Sequence, residues 1–240
     1  MQTIAGIPVV LQRKSIKHLR IAVCPPDGAV EVSAPEGMDA ELIRIAVLRR
    51  TDWIREKREA MRCQQRQGVR HYVSGESHYF NGERYMLRVQ VVRRGEPYGI
   101  ELRGRRMVMR VYADTPESGR EKLLQEWYRA RLKEKVASVL PQWAKRVGVP
   151  VPSVRVLRMR TRWGSCSRRL RQIVLNLELA KKDYRGLEYV ILHELCHLLE
   201  PVHSPRFLEL LERFMPSWES VRRRLNEEPL RHEDEFGTDE

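Results

Sequence analysis

No run of about 18 apolar residues occurs anywhere in the 240-residue chain, which argues against a membrane-spanning helix. Cysteine is scarce. The four thiols, Cys24, Cys63, Cys166 and Cys196, form no CxxC pair and belong to a chain too large to need disulfide stapling, so they are expected to be reduced. The opening MQTIAGIPVV has neither the basic flank nor the apolar run of a secretory signal, and a cytoplasmic location is expected. Acidic side chains are also in short supply, 32 against 45 basic ones, for a net charge of +13. The shortage is local: residues 1–110 carry 21 basic and 12 acidic side chains, residues 111–171 carry 15 and 5, and residues 172–240 carry 9 and 15. A field of this sign over two thirds of the chain suits nucleic acid or acidic protein partners, and it equally serves solubility alone.

Periodicity indicates an α+β protein with a β-rich N-terminal module over residues 1–114, a second domain over 115–226 and an acidic tail over 227–240. IPVVLQRK, HLRIAVCP and AVEVSAP are β-branched runs closed by Pro25, Pro26 and Pro35, as strands end where a ladder amide is missing. The apolar positions Leu42, Ile43, Ala46, Ile54 and Met61 predict one long amphipathic helix from Asp39 to Gln67. Asn81-Gly82 between alternating runs predicts a type I′ hairpin, and YGIEL and RMVMRVYA add two strands. Asp114-Thr115-Pro116 marks the boundary, a cap followed by a first-turn proline. Residues 117–147 carry a helical pattern interrupted at Pro141 and ended by Gly148. In VRVLRMRTRW, Leu157, Met159 and Thr161 alternate with Arg158, Arg160 and Arg162, which as a strand puts three guanidinium groups on one face. No internal repeat is visible.

The stretch HELCHLLEPVHSPRF, His193 to Phe207, holds three of the seven histidines. Beyond an N-cap at Asp183, Leu187, Val190, Ile191 and Leu195 have the spacing of a buried helix, so His193 and His197 project from one face, one turn apart. Two neutral imidazoles so placed reach a single tetrahedral Zn²⁺ at about 2.0–2.1 Å. Glu194 lies about 100° round the helix, near enough to take a proton from water at the metal and turned too far to ligate. Pro201 ends the helix, and Ser204-Pro205 reads as the cap and first turn of the next. His203 therefore sits at the corner, offset by six from His197, as is the third ligand of HExxHxxGxxH zincins. Glu209 or Glu212 could take that place instead, or orient a ligand histidine. All three histidines could also be core and loop residues, although an imidazole buried without a partner costs about 1–3 kcal/mol. Cys196 reads as packing, and Tyr189, one turn before His193, either packs in the core or donates to a developing oxyanion.

Three blocks resemble, in order and spacing, the YgjP-like metallopeptidases, zincins related to the SprT and WLM groups: TRWGSCS at 161–167, IVLNLELA at 173–180, and YVILHELCHL with HSPRF. SAPEGMDAELIRIAVLRRTDWI and GERYMLRV are similar to the β-rich half of those proteins, so the likeness covers nearly the whole chain. The resemblance implies a minimal zincin-like domain with Zn²⁺ as cofactor, His193, His197 and His203 as ligands, and Glu194 as general base. It implies hydrolysis of peptide bonds in a protein or peptide substrate. Val202, Leu208 and Arg169-Leu170-Arg171 depart from the family's usual Asn, Trp and glycine-containing turn. Trp163 to Ser167 offers no nucleophile with a base at hand and reads as support beside the cleft. Asn176 either faces the substrate or bonds a loop, and its strand is the expected edge along which an extended peptide pairs. The rival reading is a nucleic-acid-associated zinc protein, or one that is also a protease of DNA-bound proteins, whose Arg158, Arg160, Arg162, Arg168, Arg169 and Arg171 grip phosphates. Three histidines with a glutamate in the base position, rather than four closed ligands, favour catalysis.

Overall fold

The computed structural model describes residues 2–24, 28–63, 70–159 and 161–227, and their contacts divide the chain between residues 69 and 70. In the first unit, β1 (Gln2–Ile4), β2 (Ile7–Lys14), β3 (Arg20–Cys24) and β4 (Ala29–Pro35) form a sheet in the order β1-β2-β4-β3, with β2 and β4 parallel. Alternation in β2 and β4 turns Ile7, Val9, Val30, Val32 and Ala34 inward, against Ile43, Val47 and Ile54 of two helices. The expected single helix from Asp39 is broken into α1 (Ala40–Leu48) and α2 (Thr51–Cys63). The Arg49 amide keeps a ladder bond to the Ile45 carbonyl at 3.0 Å, the Arg50 amide turns to the Val47 carbonyl at 3.0 Å, and the Thr51 hydroxyl approaches that same carbonyl at 3.4 Å, so a tight turn ends the regular ladder. Residues 64–67, the expected end of that helix, lie outside the described residues.

The second unit opens with a sheet of the same design. Its strands are β5 (Ser77–Phe80), β6 (Glu83–Val91), β7 (Gly99–Arg103) and β8 (Arg106–Val111), in the order β5-β6-β8-β7 with β6 and β8 parallel. Both sheets begin with a two-residue hairpin turn at positive φ, Ala5-Gly6 in one and Asn81-Gly82 in the other. Thus a repeat exists in topology although residue identity hides it. Leu87, Met107, Met109 and Val111 pack with Leu124, Tyr128, Leu132 and Val136 of α3 (Glu117–Val147) in one core. That shared core is why the chain does not divide at 114/115 as expected: the second sheet packs as one body with α3. Proline 116 itself occupies the N-cap of α3, without a side-chain cap, and the helix runs through Pro141 rather than breaking there. Val136, Val139, Leu140, Trp143 and Ala144 are buried on both sides of the proline, and burying five such side chains outweighs its cost of about 3 kcal/mol. Gly148, at φ 80, ends α3 as expected.

Beyond α3 lies a three-stranded sheet, β9 (Ser153–Leu157), β10 (Gly164–Ser167) and β11 (Gln172–Asn176), in the order β10-β11-β9. Two expectations fail here. First, β9 ends at Leu157, so Arg158 and Arg162 lie in the connection to β10 and form no strand face; Arg160 lies outside the described residues. Arg158 is paired with Glu121 at 3.4 Å. Second, β11 is the central strand, bonded on both edges, and β10 is the outer strand that packs on the next helix. The β10–β11 turn holds Arg171 at φ 45, a left-handed position, at a cost of about 1–2 kcal/mol.

A 3-10 turn (Leu177–Lys181) leads to α4 (Tyr184–Leu199), α5 (Pro205–Phe214) and α6 (Trp218–Glu227). The acidic tail from residue 228 onward lies outside the described residues. Among the described residues, no helix is long and apolar enough to cross a membrane. The Asn81-Gly82 turn docks at the start of α4, where the amides of Asn81 and Gly82 donate to the carbonyls of Ala180 and Lys181 at 2.9 and 3.0 Å.

Gly82 meets two demands, φ 79 and a Cβ position only 2.9 Å from the Asp183 Cβ, whereas Gly104 at φ 56 has open space around it. Gly82→Ala is expected to lower stability by about 1–3 kcal/mol and Gly104→Ala by less, as measured by chemical denaturation. Equal losses at the two sites would mean that docking on Asp183 contributes nothing.

Candidate metal centre

Helix α4 is seated by its apolar side chains. Leu187, Val190, Ile191, Leu192, Leu195 and Cys196 are buried, with Ile191, Leu192, Leu195 and Cys196 fully so. Cys196 is thus core packing, as expected. The Asp183 carboxylate accepts from the Gly186 amide at 2.9 Å and starts the helix; Glu200, before Pro201, leaves helical geometry and ends it. The Ser204 hydroxyl then accepts from the Phe207 amide at 3.3 Å, with Pro205 in the first turn of α5.

This corner brings His203 back to His193 and His197. The three side chains offer nitrogens that all lie within 4.8 Å of one another, and Nε2 of His203 is 3.1 Å from Nε2 of His193. Tetrahedral ligation at about 2.0–2.1 Å separates donor atoms by about 3.3 Å, so the cradle fits one divalent transition ion. Beneath the cradle lies Phe207, fully buried, whose ring centroid is 4.9, 4.6 and 4.8 Å from those of His193, His197 and His203. In the sequence Phe207 stands out only as the end of the HSPRF block. The signal that marks it is its place in the first turn of a helix opened by Ser204-Pro205, beside His203.

Electrostatics suit the same role. The Nδ1 of His197 lies 3.1 Å from the Glu200 carbonyl, and donating there leaves Nε2 as the basic nitrogen. Burial pushes His193 down to about 3, aided by the neighbouring His197, His203 and Arg222. His197 is lowered by burial against the opposing Glu200 carbonyl. Both are therefore neutral at pH 7, the state in which imidazole ligates. Glu194 is 4% exposed, and burial pushes it up to about 8 against the pull of Arg162. Its Oε2 and the Nδ1 of His193 are buried without a hydrogen-bond partner among the described residues. A carboxyl group held this way is poorly stabilised by the protein alone and well placed to respond to a nearby cation.

The other candidates fall outside the cradle. Glu212 accepts from the Trp218 indole at 3.1 Å, Glu209 is exposed on α5, and no carboxylate joins the group of possible ligands among the described residues. Tyr189 is buried, stacked on Trp218 with centroids 6.5 Å apart, and its ring lies 5.8 Å from that of His193. Asn176 bonds the loop: its Nδ2 donates to the carbonyls of Met159 and Arg162 at 2.8 and 2.9 Å.

A family model for the YgjP-like metallopeptidase domain matches residues 17–228. Among solved structures, two metallopeptidase zymogens are similar. Abylysin of Pyrococcus abyssi is 22% identical with a TM-score of 0.36, over 38% of this chain and 90% of its own. Jannalysin of Methanocaldococcus jannaschii is 18% identical with a TM-score of 0.34, over 38% of this chain and 92% of its own. No curated protein matches. The family implies a metal cofactor, and the three histidines are the described residues able to hold one.

Phe207→Ala removes the floor common to all three rings. It is expected to cost about 3–5 kcal/mol of stability, and Phe207→Leu, which keeps the fold better, to weaken divalent-metal affinity by about 10- to 100-fold. Competition with a chromophoric chelator measures the second effect; unchanged affinity would remove the floor from the account. Folded Glu194 keeps its proton to about pH 8, whereas the unfolded carboxyl releases it near 4.5. Its contribution to the stability of metal-free protein is therefore present below pH 4.5 and lost as pH rises through 8. In Glu194→Gln this loss should vanish, a difference read from denaturation midpoints at pH 5 and pH 8.5.

Proposed function

Because this chain belongs to the YgjP-like metallopeptidase family, we propose that it hydrolyses peptide bonds with Zn²⁺ held by His193, His197 and His203 and with Glu194 as general base. The observation that carries this reading is the convergence of three nitrogens within 4.8 Å on the same helix corner that presents a buried carboxylate oxygen with no hydrogen-bond partner among the described residues. Zinc in the cradle would lower the pKa of water towards about 7 and polarise the scissile carbonyl. Glu194 takes the proton from the attacking water and returns it to the departing amine, so one carboxylate is base and then acid. His197 is kept in the ligating tautomer by the Glu200 carbonyl.

The sheet supports one path for the substrate. With β11 enclosed between β10 and β9, β10 is the outer strand that packs on α4. An extended peptide pairing its main chain along β10 would run past Glu194, which favours unfolded or flexible protein substrates.

Zinc content and turnover separate the roles. His197→Ala and His203→Ala are expected to lower zinc occupancy below one per chain, and Glu212→Gln to leave it unchanged. Glu194→Gln should keep its zinc and lose about 10²- to 10⁴-fold in cleavage of unfolded, fluorophore-labelled casein. Equal cleavage by wild type and Glu194→Gln at equal zinc would remove the assigned base.

A further inference from the structure

We infer that Gly164 is a positioning residue for the Glu194 carboxylate: a hydrogen in place of a side chain at that point of β10 is what lets the base stand beside the metal cradle. The inference rests on the reading of Glu194 as general base and explains why the WGSCS block lies next to the site.

The backbone does not demand glycine at 164. Gly82 and Gly148 sit at φ 79 and 80, whereas Gly164 does not lie at positive φ, so any residue could adopt its conformation. Space does demand it. A Cβ there would lie 2.7 Å from Glu194 Oε1, 3.0 Å from Glu194 Cγ and 3.0 Å from Val190 Cγ1. Side chains two apart on a strand share a face, and Cys166 senses the same neighbour. Its thiol is pushed up to about 11 by burial and then by the Glu194 charge.

The strand cannot back away from an added methyl. Gly164 is paired with Leu175 in the antiparallel β10–β11 register. The approach to it is pinned by Asn176, whose side chain holds the Met159 and Arg162 carbonyls and whose amide donates to the Trp163 carbonyl at 2.9 Å. The Trp163 indole donates in turn to Asn226 at 3.1 Å. On the other side α4 is locked in the core by Ile191, Leu192 and Leu195. The softest neighbour is the end of the Glu194 side chain, so the methyl displaces the base more than it disturbs the fold. Asn176, expected either at the substrate or in a loop, thereby acts on Glu194 through the loop.

The test is a double-mutant cycle in the full chain with Gly164→Ala, Glu194→Ala and both together. In metal-free protein, Gly164→Ala is expected to lower the denaturation midpoint when residue 194 is Glu and to lower it less when Glu194 has been truncated. With zinc bound, Gly164→Ala is expected to keep wild-type zinc content and a KM for labelled casein within about twofold, while kcat falls ~10- to 100-fold. Equal midpoint shifts in the two backgrounds would overturn the contact. Wild-type kcat in Gly164→Ala, alongside an inactive Glu194→Gln, would overturn the positioning role and leave the base in place. An active Glu194→Gln would remove the base and the inference together.

Discussion

Three imidazoles resting on one phenyl ring are the contact on which the site depends. Phe207 touches all three histidines and is itself sealed from solvent. It arrives there because α4 stops before Pro201 and α5 restarts on the Ser204 cap, which together set the angle of the corner. An imidazole on a helix has two rotatable bonds, and each would cost ordering entropy on binding a metal. Packing against a common aromatic floor limits that freedom, so the fold meets part of the ordering cost.

Beside this apolar floor the protein tolerates local electrostatic strain. Glu194 is buried with one oxygen lacking a hydrogen-bond partner among the described residues, and half-buried His193 has its Nδ1 buried in the same condition. Groups so placed destabilise the metal-free fold and are matched to a cation, which is how binding free energy becomes folding free energy at such sites. Arg162 moderates the carboxylate from an exposed position, and Arg222 acts on His193 from α6. The basic excess upstream of residue 172 therefore reaches the site through at least one individual side chain, Arg162, although it forms no ordered arginine face on β9.

The two four-stranded sheets show how differently one design can be used. Both have the order edge hairpin, central parallel pair, second hairpin. In the first unit the sheet is closed by the short helices α1 and α2, and in the second by the 31-residue α3. Only in the second does the leading turn, Asn81-Gly82, meet the chain at the start of α4 and hold it at the Ala180 and Lys181 carbonyls.

Local chemistry was legible without coordinates wherever its cause lay within a few residues. The 3.6-residue period placed His193 and His197 on one face; Asp183, Pro201 and Ser204-Pro205 marked where helices start and stop; Asn81-Gly82 announced its turn. Other local signals misled: Pro141 did not break α3, the pattern from Asp39 did not make one helix, and the alternating arginines did not make a strand. In each case burial or a competing hydrogen bond outweighed propensity, a balance set by distant residues. Tertiary structure alone decided that the second sheet shares its core with α3, that β10 rather than β11 is the outer strand, that Phe207 lies under the histidines, and that Gly164 makes room for Glu194. The sequence by itself determined which groups could do chemistry and which turn each would occupy; contact between separate elements depends on how those elements pack, and no periodicity within one element encodes it.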